Sequence, residues 1–227
     1  MAYRRTPKMQ QRVLERRRAI LVAAEELFAE KGYESTSMKE VAMRASTSIG
    51  NMYFYFSNKE DLMRALLDKI FNEIWHLELN PEELTFTASL NALEALDDYL
   101  KIYSLFQKDS YTRILQEGAR HYTFRRYMIS FLEGKTRERY QQYDEFFEGL
   151  DRELALSYHL GGLVNMFEKV LTGDLDHTPH QLGVFLAQCK LYIRGLDSET
   201  VTNVLEEMRD LIPEVIRLQH QYSEKSY

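Results

Sequence analysis

The 227-residue sequence is short of cysteine, proline, glycine and long apolar runs, and each shortage excludes a class of protein. Its single cysteine, Cys189, cannot form an intrachain disulfide, which suits a reducing compartment such as the cytoplasm. Only 10 glycines and 4 prolines are present, and no stretch alternates between apolar and polar residues as a half-buried strand does. Because apolar residues recur at intervals of three and four, the sequence predicts an all-α chain.

Motifs of membrane insertion and of enzyme chemistry are also missing. No apolar run approaches the ~20 residues of a membrane span. The short apolar run at 19–24 ends at Glu25, which is too early for a signal peptide. A Gly-rich phosphate loop, a nucleophile elbow and an H-E-x-x-H zinc motif are all absent. We therefore expect a soluble, cytoplasmic protein that is not an enzyme, with no catalytic residue, no cofactor and no membrane partner.

Charge is divided unevenly along the chain, although the total is only −6. Residues 1–60 hold 11 Lys/Arg and 7 Asp/Glu, so they carry +4 and the remaining residues carry −10. A basic segment attracts phosphates, whereas an acidic segment is repelled by them. The charge distribution therefore predicts that a nucleic acid would contact the N-terminal part of the chain.

Residues 36–62 contain the most informative local signals in the sequence. Ser37 is followed three positions later by Glu40, which predicts a capping box and the start of a short helix. After a tight turn, Ser48 is a favourable N-cap for a second helix over about 49–56. Two short helices joined in this way form a helix-turn-helix, whose second helix is of a size to enter the DNA major groove.

This segment resembles the DNA-binding domain of the tetracycline-repressor (TetR) family over residues 16–66. The family usually has Gly-Val in the turn, where this chain has Ser46-Thr47. A left-handed conformation at Ser46 would cost roughly 1–2 kcal/mol that glycine avoids. The residues that carry the resemblance are Ala23, Leu27, Phe28, Gly32, Tyr33, Thr36, Val41, Ala42, Ala45, Ser48, Gly50, Tyr53, Phe56, Lys59 and Leu62.

The resemblance implies an architecture of two domains. Residues 1–58 would form a three-helix helix-turn-helix DNA-binding domain with a basic N-terminal arm, and residues 59–227 a larger helical domain for effector binding and dimerisation. Apolar periodicity and breaks predict the longer helices at about 12–31, 59–79, 82–107, 110–118, 122–148, 152–172, 179–194 and 198–221. Pro213 is expected to kink or split the last of these.

The resemblance also implies a function. The chain would be a ligand-responsive transcriptional regulator, most readily a homodimeric repressor that a small apolar or aromatic effector releases from double-stranded operator DNA. In the family, the helices near 152–172 and 179–194 pack against their copies in a four-helix dimer interface. A second interpretation is an architectural or protein-partnered DNA-binding factor of the same fold without a small-molecule effector.

The residues predicted at DNA lie on and beside the second helix of the motif. Asn51 carries a carboxamide suited to a bidentate contact with adenine N6 and N7, and Gly50 allows a close approach of the helix backbone to the groove. Tyr53 and Lys59 suit phosphate contacts, because a hydroxyl and an ammonium can position the protein on DNA without reading the DNA sequence. The full predicted set is Lys39, Ser48, Ile49, Gly50, Asn51, Tyr53, Tyr55 and Lys59.

Two alternatives stay open around the motif. The segment could be a plain helical hairpin with aromatic packing, and Met52 and Phe56 are predicted core residues in either case. Arg4, Arg5 and Lys8 belong to a basic arm, residues 1–11, predicted to be flexible; it either enters the minor groove or is a solvated tail.

Further along the chain, aromatic residues are frequent among scattered polar groups. This composition is typical of an apolar ligand pocket with a few orienting polar groups, although most of these residues would simply be core. The predicted effector-binding residues are Tyr103, His121, Tyr122, Tyr158 and Asn165. The segment 174–180 holds two Asp and two His, but it lies in a predicted loop before a helix, where Asp, Thr and Pro are ordinary capping residues, and we predict no metal site.

Overall fold

A computed structural model describes residues 7–75, 88–140 and 151–225 of the chain. Within these ranges the chain forms ten α-helices and no strand, which confirms the all-α prediction. None of these helices combines the length and the hydropathy that crossing a bilayer requires. The helices are α1 (Pro7–Lys31), α2 (Met38–Arg44), α3 (Ile49–Tyr55), α4 (Lys59–Trp75), α5 (Leu90–Leu105), α6 (Asp109–Arg120), α7 (Tyr122–Tyr140), α8 (Arg152–Thr172), α9 (Pro179–Ile193) and α10 (Ser198–Lys225).

The first helix begins earlier than the sequence indicated. Residues 7–11, predicted to belong to a flexible arm, are helical, and Lys8 lies exposed in the first turn. Proline is compatible with this position, because its fixed φ suits a helix and the first turn needs no N–H donor. Arg4 and Arg5 lie outside the described residues, so the minor-groove contact of the arm stays a prediction.

The last helix is not split at its proline. The helix α10 is continuous from Ser198 to Lys225 with Pro213 inside it, so the split is wrong and the kink, the other predicted outcome, stays a prediction. Pro213 and Arg209, whose carbonyl loses its helical partner, are both exposed, so water can satisfy that carbonyl. The opposite side of α10 buries Val201, Met208 and Val215, and this packing holds the helix together across the proline.

Two clusters of buried side chains form the core. The larger cluster joins α1–α4 to α6, to the end of α5 and to single residues of α7, α8 and α9, so the helix-turn-helix shares its core with the rest of the chain. The smaller cluster lies between α5, α9 and α10. Tyr99 of α5 is fully buried there, and the backbone of α9 comes so close at Gly183 that an added Cβ would lie 2.7 Å from the Tyr99 ring.

The helix α6 fixes the position of α1, and with it the N-terminal motif. Arg113 donates to the carbonyl of Ala29 at 3.0 Å, and the Ser110 hydroxyl donates to Glu25 at 2.9 Å.

The helix α1 ends at Lys31, as predicted. The next residue, Gly32, has a φ of 84°, the left-handed conformation that glycine adopts without strain.

Candidate nucleic-acid interface

The first helix of the motif begins with the predicted capping box. Glu40 N donates to the Ser37 hydroxyl at 3.3 Å, and Ser37 N donates to the Glu40 carboxylate at 2.8 Å. The same carboxylate pairs with the Lys31 ammonium at the end of α1. Its hydrogen bonds from Lys31 and Ser37 lower the pKa of Glu40 to about 2. Because Glu40 is ionised at neutral pH, the start of α2 is tied to the end of α1.

The turn between α2 and α3 has the conformation that the resemblance implied. Ser46 has a φ of 49°, in the left-handed region. Thr47 N donates to Ala42 O at 2.9 Å and Ser46 N donates to Met43 O at 3.1 Å, the bond pattern of a Schellman motif. Arg16 of α1 donates to the Ser46 carbonyl at 3.4 Å, so α1 contacts this turn directly.

The second helix of the motif directs its middle residues away from the protein. Ser48 is its N-cap, as predicted, and its hydroxyl accepts from Asn51 N at 3.1 Å. Met52 and Phe56 are buried, which confirms both as core. At about 100° per residue, Gly50, Asn51 and Phe54 lie opposite these two. These three residues, the outer face of α3, are all exposed, and Phe54 is 62% exposed.

The other predicted residues of α3 flank this outer face. Ile49 and Tyr53 are exposed on one side of it. Tyr55, on the other side, is half-buried against the core and meets the Phe54 ring edge-on, with centroids 5.1 Å apart. The Asn51 amide donates to the Thr47 hydroxyl at 2.7 Å, which leaves its carbonyl oxygen and a second N–H for other partners.

Lys59 makes contacts within the protein that the sequence did not reveal. Its ammonium donates to the carbonyls of Tyr33 at 2.9 Å and Glu34 at 3.2 Å, and it lies 4.3 Å from the centroid of the Tyr33 ring. These contacts hold the loop after α1 against the start of α4. The Glu34 carboxylate also lies 4.0 Å from this ammonium, whose third N–H would have to reach a phosphate beside it, and the phosphate contact stays a prediction.

Basic side chains around the motif differ in whether they are already bound within the protein or are exposed to an outside partner. Arg44 is bound to α1 through Glu26 at 3.0 Å and Glu30 at 2.9 Å. Lys39 of α2 is exposed and has no hydrogen-bond or ion-pair partner within the described ranges. The N-terminal half of α1 adds further exposed cations, Lys8, Arg12, Arg16, Arg17 and Arg18.

Two parts of this surface were missed by sequence reasoning. Phe54 was assigned no role, although its position relative to Met52 and Phe56 on a 3.6-residue period already places it outside. The basic side of α1 was given no contact residues, although Arg12, Arg16, Arg17 and Arg18 lie in the helix predicted at 12–31 and only Lys8 was placed in the flexible arm. Arg17 lies 5.2 Å above the ring of Phe56, so this helix reaches the end of α3.

Two of the predicted effector-binding residues are half-buried among aromatic rings. Tyr103 stacks on Tyr99 at 5.5 Å between centroids, where burial and Tyr103 raise the pKa of the Tyr99 phenol to about 12. His121 lies 5.3 Å from the Tyr33 ring, and its Nε2 is 3.5 Å from the Glu34 carboxylate. His121 therefore lies beside the loop that Lys59 holds.

The remaining three, Tyr122, Tyr158 and Asn165, are exposed. Tyr158 is 87% exposed and lies on the same side of α8 as Asn165. Among the described contacts, none joins two of the five predicted effector residues. Effector binding by these residues stays a prediction.

Helix capping accounts for Thr178 and Pro179 of the segment 174–180, but not for its Asp and His residues. Thr178 and Gln181 form a capping box at the start of α9, and Pro179 is its first residue. His180 Nδ1 lies 3.0 Å from the buried Tyr99 hydroxyl. The described residues contain no group of three or more His, Cys, Asp or Glu placed to hold a metal ion.

Known sequences similar to this chain belong to DNA-binding regulators. Residues 20–66 match the family described as "Bacterial regulatory proteins, tetR family". The uncharacterised HTH-type transcriptional regulator YuxN of Bacillus subtilis (strain 168) is 30% identical over 159 residues, which are 68% of this chain and 47% of that protein. The chain spans about half the length of the curated relatives it matches.

Solved structures with the same fold align with this chain over nearly their whole length. RolR in complex with resorcinol superposes with a TM-score of 0.59 at 16% identity, over 86% of this chain and 95% of RolR. FadR from Bacillus subtilis in complex with stearoyl-CoA gives a TM-score of 0.53 at 23% identity, over 79% and 98%. At these identities the likeness shows the fold.

Proposed function

We propose that this chain, which belongs to the tetR family of bacterial regulatory proteins, is a homodimeric transcriptional regulator that binds operator DNA and responds to a small molecule. The observation that carries the DNA-binding part is the outer face of α3, Gly50, Asn51 and Phe54. A capped helix, fixed by a Schellman turn and by two buried anchors, turns these residues towards solvent beside a row of basic side chains on α1.

The predicted DNA contacts divide by chemistry. Asn51 is proposed to read a base edge, because its free carboxamide atoms lie on the outer face of α3. Lys39, Tyr53 and Lys59 are proposed to contact phosphates, which position the protein on any sequence. Ser48, Ile49, Gly50 and Tyr55 complete the proposed contact surface around them.

The proposed dimer is supported by unused apolar surface on α8 and α9. One side of α8 exposes Leu154 and Tyr158, and one side of α9 exposes Phe185 and Tyr192. Side chains of this size are typical of the centre of a protein interface. A two-fold dimer would present two copies of α3 to successive major grooves about 34 Å apart.

The effector-binding part rests on the larger domain, which we propose to span residues 59–227, with DNA binding assigned to 1–58. Its aromatic content and the resorcinol and stearoyl-CoA complexes of proteins with this fold support an apolar or aromatic effector. The shared core between α1 and α6 supplies a mechanical connection between the two parts. An effector that prefers the conformation with wrongly spaced α3 helices would weaken DNA binding.

The DNA-binding proposal is tested by Asn51→Ala. Operator sequences are first selected from random duplexes with the full chain, and binding is then measured by fluorescence anisotropy. Asn51→Ala should cost roughly 1–3 kcal/mol on the operator and little on scrambled DNA. Asn203→Ala, an exposed asparagine on α10, is the matched control and should change neither. Equal losses on both DNAs for Asn51→Ala would contradict a reading role.

The effector proposal is tested with resorcinol and stearoyl-CoA as probes. A probe that binds should raise the melting temperature and weaken operator binding, and operator DNA should weaken binding of that probe by the same factor. The second candidate, an architectural factor that binds proteins through its surface, is favoured by the exposed ring of Tyr122, which lies outside the proposed dimer surface. Operator binding that no phenol or acyl-CoA changes would support that candidate.

A further inference from the structure

The helix that faces the DNA in the proposed function has no charged side chain. Residues 49–55 read Ile-Gly-Asn-Met-Tyr-Phe-Tyr, without Arg, Lys, Asp or Glu. Met52 is buried and Tyr55 is half-buried, so the helix presents one carboxamide, two exposed aromatic rings and one aliphatic side chain.

Base pairs differ in the side chains that recognise them in the major groove. Guanine is read by Arg or Lys at O6 and N7, and cytosine by Asp or Glu at N4. Adenine is read by Asn or Gln at N6 and N7, and thymine by apolar contact with its C5-methyl group. The side chains of α3 therefore match adenine and thymine and lack the usual partners of guanine and cytosine.

Four cations near α3 already make contacts within the protein, and two of these, Arg16 and Arg17 of α1, contact the Ser46 carbonyl and the Phe56 ring. Both terminal nitrogens of the Arg44 guanidinium, Nη1 and Nη2, bind carboxylates of α1, and the Lys59 ammonium binds two carbonyls. Lys39 is exposed, but it lies in the first turn of α2, and the first helix of a helix-turn-helix crosses the DNA backbone. Its position suits a phosphate contact.

Phe54 is the apolar side chain best placed to meet a methyl group. It is exposed on the outer face of α3, one turn beyond Gly50, where the space above the Cα is open. The Tyr55 ring packs against it at an angle of 88°, and Tyr55 itself rests on the core. The core thus supports the phenylalanine ring in its outward position.

We infer that Phe54 is a specificity-determining residue that contacts thymine methyl groups, and that α3 reads A·T base pairs with Phe54 and Asn51 together. This inference rests on the proposed DNA-binding function and names the bases that its reading head recognises. Phe54 selects thymine by burying its methyl group, and Asn51 selects the neighbouring adenine by its donor and acceptor pair.

The first experiment is selection of random duplexes with the full-length chain. The enriched half-sites should contain A·T pairs at the positions whose change reduces binding most. Enriched half-sites with G·C pairs at those positions would overturn the inference. Failure to enrich any sequence, with equal affinity for all duplexes, would instead contradict the proposed function itself.

The second experiment replaces single thymines of the selected site by deoxyuridine, which lacks the methyl group and keeps the Watson–Crick face. At the thymine under Phe54, the wild-type chain should bind about fourfold more weakly, the effect of exposing one buried methyl group (about 0.8 kcal/mol). Binding that is the same for every deoxyuridine duplex would overturn the inference.

The third experiment links the methyl group to the side chain. Phe54→Ala should bind the thymine and deoxyuridine duplexes equally, because the apolar partner is gone, whereas Phe54→Leu should retain part of the discrimination. Both variants should keep the wild-type melting temperature, since Phe54 is exposed. Tyr53→Phe, which loses only the hydroxyl proposed to contact a phosphate, should weaken both duplexes alike and keep the fourfold ratio between them. If Phe54→Ala still prefers thymine fourfold, the methyl group is read by another residue.

Discussion

Large apolar side chains are exposed at two separate places, on the outer face of α3 and on the outward sides of α8 and α9. Phe54 is 62% exposed, and Phe185 on α9 is 51% exposed, so exposure alone does not distinguish the two surfaces. Their surroundings do. Exposed arginines of α1 contact residues next to both ends of α3, Arg16 at the Ser46 carbonyl and Arg17 at the Phe56 ring, whereas α8 and α9 belong to the part of the chain that carries −10.

This difference indicates different partners. An apolar surface flanked by cations suits the major groove, where bases are apolar at the methyl group and the phosphates on either side are anionic. An apolar surface in an acidic region repels DNA and suits a protein partner, which for a two-fold dimer is the same surface of a second copy. Substitutions that act on one surface and leave the other unchanged test this assignment.

The largest loss of stability is expected on the side of α9 that faces the core. Leu182 of α9 is 3% exposed and belongs to the larger core cluster, not to the surface of α9. Leu182→Asp would bury an unpaired carboxylate and should cost at least about 4 kcal/mol of unfolding free energy. Urea unfolding measures this cost, and Leu182→Met should lose less than about 1.5 kcal/mol. A stable, folded Leu182→Asp chain would show that α9 is turned differently.

A separate effect is expected three residues further along the same helix. Phe185→Asp should leave the protomer folded and weaken the proposed dimer by roughly 2 kcal/mol for each copy, because a large side chain at the centre of an interface is replaced by a charge. Light scattering across a dilution series measures the dimer. Asn203→Asp places the same charge on the exposed side of α10 and should leave the dimer unchanged. An equally stable Phe185→Asp dimer would place the interface elsewhere.

The contrast between Leu182 and Phe185 also shows which structural features can be predicted from the sequence alone. In the helix-turn-helix, caps, turn and core residues are set by neighbours in the sequence, so Ser37, Ser48, Met52 and Phe56 were predicted correctly. The helix α9 is apolar over most of its surface, and such a pattern does not reveal which side faces the core. Packing against α5 and α10 decides this, and it lies outside the range of local sequence signals.

The contacts of Lys59 predict a combined effect on stability and DNA binding. Lys59→Ala removes two hydrogen bonds to carbonyls and a cation–π contact, and should lower the unfolding free energy by about 1–2 kcal/mol. It should also weaken operator and scrambled DNA about equally and reduce the salt slope by about 1.

Lys39→Ala is the matched control for Lys59→Ala. Lys39 is exposed and makes no ion pair within the described ranges, so its removal should reduce the salt slope without lowering the melting temperature. A lower melting temperature for Lys59→Ala with an unchanged salt slope would show that Lys59 only supports the loop after α1.

The smallest effect concerns the turn that orients the outer face of α3. Ser46 holds a left-handed φ of 49°, which costs roughly 1–2 kcal/mol for a residue with a Cβ and nothing for glycine. Glycine also gives the unfolded chain more freedom, so Ser46→Gly should gain about 0.5–1 kcal/mol, which for a chain of this size raises the melting temperature by about 1–4 °C. Ser46→Ala keeps the strain and should gain nothing. Operator affinity should stay within about twofold, because Arg16 binds the carbonyl of this residue and not its side chain. A glycine variant no more stable than the alanine variant would show that the left-handed conformation at Ser46 carries no strain.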